Sequence, residues 1–196
     1  MKQVVLASSN PGKVREIHQL LAELDLDVEP QGAFGVDDAE ETGLSFVENA
    51  ILKARNAALH TGLPAIADDS GIEVDILGRE PGVQSARYAE GTDADRNKKL
   101  LGTMEGVPEH QRTARMVSVI AVFDPASGKT QTCRAEVSGR VTHEPKGERP
   151  FGYDPIFHYD EAGKTGGEMT LAEKDKYSHR GRALAKARKI LLAEFA

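Results

Sequence analysis

Two adjacent carboxylates, Asp68 and Asp69, end the apolar run Ala65-Ile66-Ala67 and are followed by Ser70 and Gly71. Hard oxygen ligands of this kind suit Mg²⁺, which commonly bridges to substrate phosphates instead of sitting in an all-protein cage. Adjacent like charges also resist joint ionisation until a cation relieves them. The same residue types make a solvated turn on their own. A second acidic pair, Glu40-Glu41, precedes Thr42-Gly43. Either glutamate could give the cation another carboxylate, although negative charge just ahead of a helix is favourable in itself. Lys53 sits in the helix that follows, where most lysines are simply solvated.

The segment Ser8-Ser9-Asn10-Pro11-Gly12-Lys13 lies between a strand-like and a helix-like run. A helix N-terminus offers backbone N–H groups and partial positive charge to a phosphate; Lys13 adds a point charge. The loop is not a Walker P-loop, because Ala7 and Val14 stand where that pattern needs Gly and Ser or Thr. Further along, Phe151-Gly152-Tyr153-Asp154 offers aromatic faces on which a nucleobase could stack. Lys174, Lys176, His179 and Arg180 supply donors for polar edges of a base, the last three sharing a helix face at i, i+3, i+4 spacing. Core packing and a solvated basic face are the ordinary alternatives. Other chemistries lack their parts. The six histidines are scattered without a His-Glu-x-x-His pair, Cys133 is the lone cysteine, and there is no Gly-x-Ser-x-Gly elbow or dinucleotide fingerprint.

These groups need elements to hold them. Gln3–Ala7 reads as a buried strand and Lys13–Leu24 as an amphipathic helix with Val14, Ile17, Leu20, Leu21 and Leu24 on one stripe. Leu26–Val28 reads as a second strand, giving a β-α-β start typical of α/β folds. Ser45-x-x-Glu48 is a capping box opening a helix to about His60. Leu63–Ala67 and Ile72–Leu77 read as strands joined by a turn at Asp68–Gly71. Thr92 or Asp93 caps a helix to about Met104. Arg115–Phe123 and Lys129–Val137 form a hairpin around Asp124–Gly128. A second capping box, Thr170-x-x-Glu173, opens one long C-terminal helix.

The 196 residues fit a single domain, 1–196, with two lobes. The net charge of −6, with no basic run, argues against nucleic-acid or membrane-surface binding. One cysteine fits a reducing compartment, and no apolar run reaches a membrane span; a cytoplasmic protein is expected. Cys133 reads as a packed small hydrophobe.

Taken in order, the motifs resemble the inosine/xanthosine triphosphate pyrophosphatase family over almost the whole chain. The resemblance rests on Ser8-Ser9-Asn10-Pro11-Gly12-Lys13, Glu40-Glu41-Thr42-Gly43, Glu48-Asn49-Ala50 with Lys53, and Asp68-Asp69-Ser70-Gly71. It continues through Pro81-Gly82, Ser85-Ala86-Arg87-Tyr88, Phe151-Gly152-Tyr153-Asp154-Pro155 and Ser178-His179-Arg180. That family's first loop usually opens Thr-Gly-Asn; here Ser8 and Ser9 stand in the first two places. The resemblance implies an α/β fold with a long mixed sheet flanked by helices, two lobes with a central nucleotide-binding cleft, a homodimer, and Mg²⁺ dependence. The reaction implied is hydrolysis of a non-standard purine nucleoside triphosphate to monophosphate and pyrophosphate. By the same match, Ser8 to Lys13 and Lys53 hold phosphate. Asp69 is base and metal ligand, with Asp68 able to share the proton work and Glu40 or Glu41 as second acidic ligand. Phe151, Gly152, Tyr153, Asp154, Lys174, His179 and Arg180 surround base and ribose, and Ser70 also binds substrate. A pyrophosphatase with another base preference, or a non-catalytic nucleotide-binding module, would need much the same pocket.

Overall fold

The computed structural model describes residues 2–195. Its strands are β1 (Lys2–Leu6), β2 (Leu26–Pro30), β3 (Ala65–Val74), β4 (Thr113–Phe123), β5 (Thr130–Val141), β6 (Phe157–Tyr159) and β7 (Lys164–Thr165). Its helices are α1 (Pro11–Leu21), α2 (Phe46–Thr61), α3 (Asp93–Thr103), α4 (Leu171–Tyr177) and α5 (His179–Phe195). The seven strands hydrogen-bond in the order β2-β1-β3-β4-β5-β6-β7. β1 runs parallel to β2 and β3, whereas β6 is antiparallel to β5 and β7, so the sheet is mixed and the fold is α/β.

The chain divides into two compact units. Unit 1 holds the residues up to Asp69, Ser118–Ala135, and the chain from Ala183 on; unit 2 holds Ser70–Val117 and Glu136–Arg182. Each has its own core. In unit 1, the predicted α1 stripe is present. Ile17, Leu21 and Leu24 are buried with Val4, Leu6, Val28, Ile66, Ile120 and Leu184, and Val14 and Leu20 pack at the edge. Each fully buried Leu or Ile contributes about 1.5–3 kcal/mol. In unit 2, Ile72, Val74, Leu100, Met104, Val141, Ile156 and the edge-to-face pair Phe157 and Tyr159 form the centre. The latter two therefore belong to packing. Cys133 behaves as expected: its thiol donates to the Ala183 carbonyl, and burial pushes its pKa up.

Two local expectations fail for identifiable reasons. Asp68–Gly71 is not a turn but the middle of β3, a continuous strand that is buried at every position except the half-buried Ser70. Turn-forming residue types were overridden by burial within the sheet, where β3 lies between β1 and β4. The C-terminal helix is broken at Ser178, whose backbone is extended (φ −77°, ψ 157°). Ser178 closes α4 through its N–H to the Lys174 carbonyl, and its hydroxyl accepts the Gly181 N–H in the first turn of α5. Gly181 is required there, because a Cβ would lie 1.9 Å from the Asp175 carbonyl oxygen. The break dissolves the predicted shared face: Lys176 is exposed, whereas His179 and Arg180 are buried.

Candidate active site

β3 carries the two carboxylates in its interior, Asp68 only 1% exposed and Asp69 6%. Successive strand residues point to opposite faces, and the two acids accordingly meet different partners. Asp68 accepts the hydroxyl of Ser118 on β4 at 2.6 Å and pairs with Lys13 at 2.9 Å. Asp69 Oδ1 pairs with Lys53 at 2.7 Å, and the same ammonium reaches Glu41 Oε1 at 2.8 Å. The backbone carbonyl of Asp68 draws the lysines together: it accepts from Lys13 at 3.3 Å and from Lys53 at 2.9 Å. Two ammonium groups thus converge on one carbonyl, each also paired with a carboxylate, Lys13 with Asp68 and Lys53 with Asp69 and Glu41.

Burial dominates the electrostatics of Asp69 and pushes its carboxyl above the usual range, against the pull of Lys53 and Lys13. Burial also works against the charge on Lys53, but Asp69 and Glu41 together hold its ammonium above the ordinary value. Of the two candidate glutamates, Glu41 is the one drawn to Lys53; Glu40 is exposed.

A metal ion would find part of its shell here. No three His, Cys, Asp or Glu side chains cluster as a cage among the described residues. Asp69 Oδ2, however, is buried with no hydrogen-bond partner among them. Such an acceptor is costly unless a ligand completes it. With Glu41 it offers hard oxygens, and Mg²⁺ routinely takes its remaining ligands from phosphate and water.

The first loop is built differently from expectation. Asn10 is the N-cap of α1, and its side-chain oxygen accepts from the N–H groups of Gly12 at 2.9 Å and Lys13 at 3.2 Å. Pro11 follows at the first helical position, where its missing N–H costs nothing. Ser8 Oγ accepts the Asn10 N–H, and Ser9 donates to Asp38. The helix N-terminus is thus already capped by the protein, and Lys13 Nζ is the loop's principal charge for an anion.

Unit 2 gathers the remaining candidates. Asp154 and Lys174 form a buried ion pair at 2.5 Å. The half-buried Phe151 ring has Lys174 at 5.5 Å and Arg180 at 5.7 Å from its centroid. Arg180 also donates to Ser70 Oγ at 3.0 Å. His179 is buried beside it in sequence at the start of α5. Tyr153 donates its hydroxyl to the Ser85 carbonyl, and burial pushes its pKa strongly up, so it remains a neutral donor.

Residues 4–190 match the Ham1 family. The chain belongs to the Ham1 family. It is 54% identical to the dITP/XTP pyrophosphatase of Pectobacterium atrosepticum over 94% of this chain and 95% of that protein. It is 52% identical to the dITP/XTP pyrophosphatase of Escherichia coli (strain K12) over the same shares. The solved HAM1 protein from Coxiella burnetii superposes with a TM-score of 0.89 at 43% identity, covering 98% of this chain and 100% of that one.

This Ham1 chain also uses residues that its sequence did not flag. Ser118 lies in a β-rich run that reads only as hairpin, and nothing in its local pattern signals a partner fifty positions earlier. Asp93 and Asn97 of α3 grip Gly152; their one signal was the capping sequence at the start of that helix. Among the described residues no helix is long and apolar enough to cross a membrane.

Proposed function

We propose that this Ham1 protein hydrolyses inosine, deoxyinosine and xanthosine triphosphates to the monophosphate and pyrophosphate, clearing them from the nucleotide pool. The observation that carries this reading is the convergence of Lys13 and Lys53 beside the partnerless oxygen of Asp69. It is a site for a polyanion with a cation and a base at hand. The names carried by the relatives at 52–54% identity support the substrate class.

In this reading Lys13 and Lys53 neutralise the phosphate chain and fix it in line, the largest part of catalysis at such centres. Mg²⁺, held by Asp69 Oδ2 and Glu41, would polarise the phosphoryl oxygens when bound. Asp69 accepts the proton of the attacking water, its Oδ1 held in place by Lys53. The new bond forms between water oxygen and α-phosphorus, the α–β anhydride bond breaks, and pyrophosphate departs. Asp68, committed to Ser118 and Lys13, acts by placing the Lys13 ammonium. Ser8, Ser9, Asn10, Pro11 and Gly12 shape the phosphate loop. Ser70, Phe151, Gly152, Tyr153, Asp154, Lys174, His179 and Arg180 serve base and ribose. Donors from His179 or Arg180 to O6 favour hypoxanthine and xanthine and disfavour adenine, whose N6 is itself a donor.

A single cysteine, which fits a reducing compartment, supports a cytoplasmic setting. The homodimer implied by the family resemblance is measurable by sedimentation equilibrium. The test of function is product analysis with inosine triphosphate and Mg²⁺. Monophosphate plus pyrophosphate is the expected outcome. Diphosphate plus orthophosphate would put cleavage at the γ position, and tight binding without turnover would make the protein a nucleotide carrier.

A further inference from the structure

We propose that Asp93 and Asn97 of α3 are positioning residues that set the base-recognition loop and thereby the discrimination between bases; this rests on the function proposed above. Gly152 sits at φ +57° in the middle of that loop, a conformation natural to glycine. Its N–H donates to Asp93 Oδ2 at 2.7 Å, and its carbonyl accepts from Asn97 Nδ2 at 3.0 Å. The two grips hold the peptide planes on either side of one α-carbon, so both soft dihedrals of Gly152 are fixed together. Asp93 and Asn97 are four positions apart and project from one face of α3. The helix start is itself anchored by the Thr92–Asp95 capping box, and Asp93 is steadied by an ion pair with Arg96.

Close packing holds Tyr153, Asp154 and Ile156, which are buried, but Gly152 and Phe151 are only half-buried. Pro150 and Pro155, which flank the loop, border a cavity of about 450 Å³ whose opposite wall includes Asn97 and Leu101. At the half-buried Gly152, polar contacts to α3 therefore set the backbone. Drift of Gly152 would move Phe151, the ring flanked by Lys174 and Arg180, and the Asp154 partner of Lys174. Asn97 Oδ1 is buried without a partner among the described residues. Folding stability alone would favour an apolar side chain there, so the asparagine is explained by its amide grip on the loop.

The experiment compares Asp93→Ala, Asn97→Leu and the double variant with the parent, measuring kcat and KM for inosine and guanosine triphosphates together with melting temperature. The expected result is a KM for inosine triphosphate raised about tenfold, the scale of one lost charge-assisted hydrogen bond. The kcat/KM preference over guanosine triphosphate should fall similarly, while kcat stays within about threefold. The double variant should be no worse than the worse single, because both side chains hold the same residue. An unchanged preference in folded variants overturns the inference. So does a loss of kcat that simply tracks melting temperature. Should Asn97→Leu not fold, Asp93→Ala, which removes the acceptor for the Gly152 N–H at the start of α3, decides alone. A parent that releases no pyrophosphate sinks the function instead, so the two failures are distinguishable.

Discussion

Replacing Lys53 with Met keeps the aliphatic stem and removes only the ammonium, which isolates what that charge does. In the structure it lies 2.7 Å from Asp69 Oδ1 and 2.8 Å from Glu41 Oε1, with the three side chains 13%, 8% and 20% exposed. At an effective dielectric of about 20, each contact is worth roughly 6 kcal/mol before desolvation. Removing one partner of a buried ion pair costs about 3–5 kcal/mol after it. Because the triad is partly solvated, the low end applies, about 3 kcal/mol. With a urea slope of roughly 2 kcal/mol/M, the midpoint should fall by about 1.5 M. The folded-state pKa of Lys53 is raised, so its contribution is fully present below the ordinary value of 10.5 and lost only as pH rises through the higher folded value. Neutral pH therefore reads the whole effect. Millimolar Mg²⁺ should restore at least half of it, since a divalent ion at Asp69 and Glu41 replaces the missing charge. The assay is urea unfolding with and without a chelator. A loss below about 1 kcal/mol, or one indifferent to magnesium, would refute the idea that Lys53 holds together a pair of metal-binding carboxylates.

Asp69→Asn should lower pyrophosphate release by about a thousandfold, the middle range for a lost general base with its metal contact. It should still fold, with a smaller stability loss than Lys53→Met, because Lys53 keeps Glu41 as a partner and a carboxylate penalised by burial is gone; a rate near the parent's excludes the assignment. Glu41→Gln should raise the magnesium concentration needed for half-maximal activity by about tenfold, whereas the exposed Glu40→Gln should leave it unaltered in the same titration. Glu173 is held down at about 2, first by the hydrogen bond from Lys164 and then by its capping of Thr170. A depressed carboxylate contributes stability above its unfolded value of 4.5 that is lost as pH falls from there to about 2. Glu173→Gln should flatten that part of the acid-unfolding curve followed by circular dichroism.

The fold class was legible because periodicity and chemistry agreed. The α1 stripe, the β4–β5 hairpin and the capping box at Thr170 all appear where pattern puts them, with both halves of that box formed. At Ser45 only half formed as expected: the Ser45 hydroxyl accepts the Glu48 N–H, but the Glu48 carboxylate takes the N–H of Leu44. Residues carrying charge in unusual runs, such as Asp68-Asp69, stand out from residue order alone. What could not be read were partners made by strand pairing and helix docking. Ser118 meets Asp68 only because β4 lies beside β3, and Asn97 meets Gly152 across fifty-five positions of sequence. Local signals also misled where burial overrode them, at the mid-strand Asp68–Gly71 and at the Ser178 break.

A carboxylate that serves both as metal ligand and as base faces a contradiction, since bound metal lowers its basicity. The geometry eases it by division. One residue apart on β3, Asp68 and Asp69 face opposite ways and acquire different environments from a single strand. Asp68 accepts a hydroxyl and pairs with an ammonium, which anchors Lys13. Asp69 keeps one oxygen on Lys53 and one without a protein partner, and burial lifts its pKa. Two like acids thereby acquire different surroundings from one strand, the same logic by which paired carboxylates elsewhere are assigned distinct roles. The two oxygens of Asp69 extend that division within one side chain: Oδ2 can face the cation while Oδ1, already sharing a proton donor with Glu41, stays in the hydrogen-bonded network through which a water proton can be taken up.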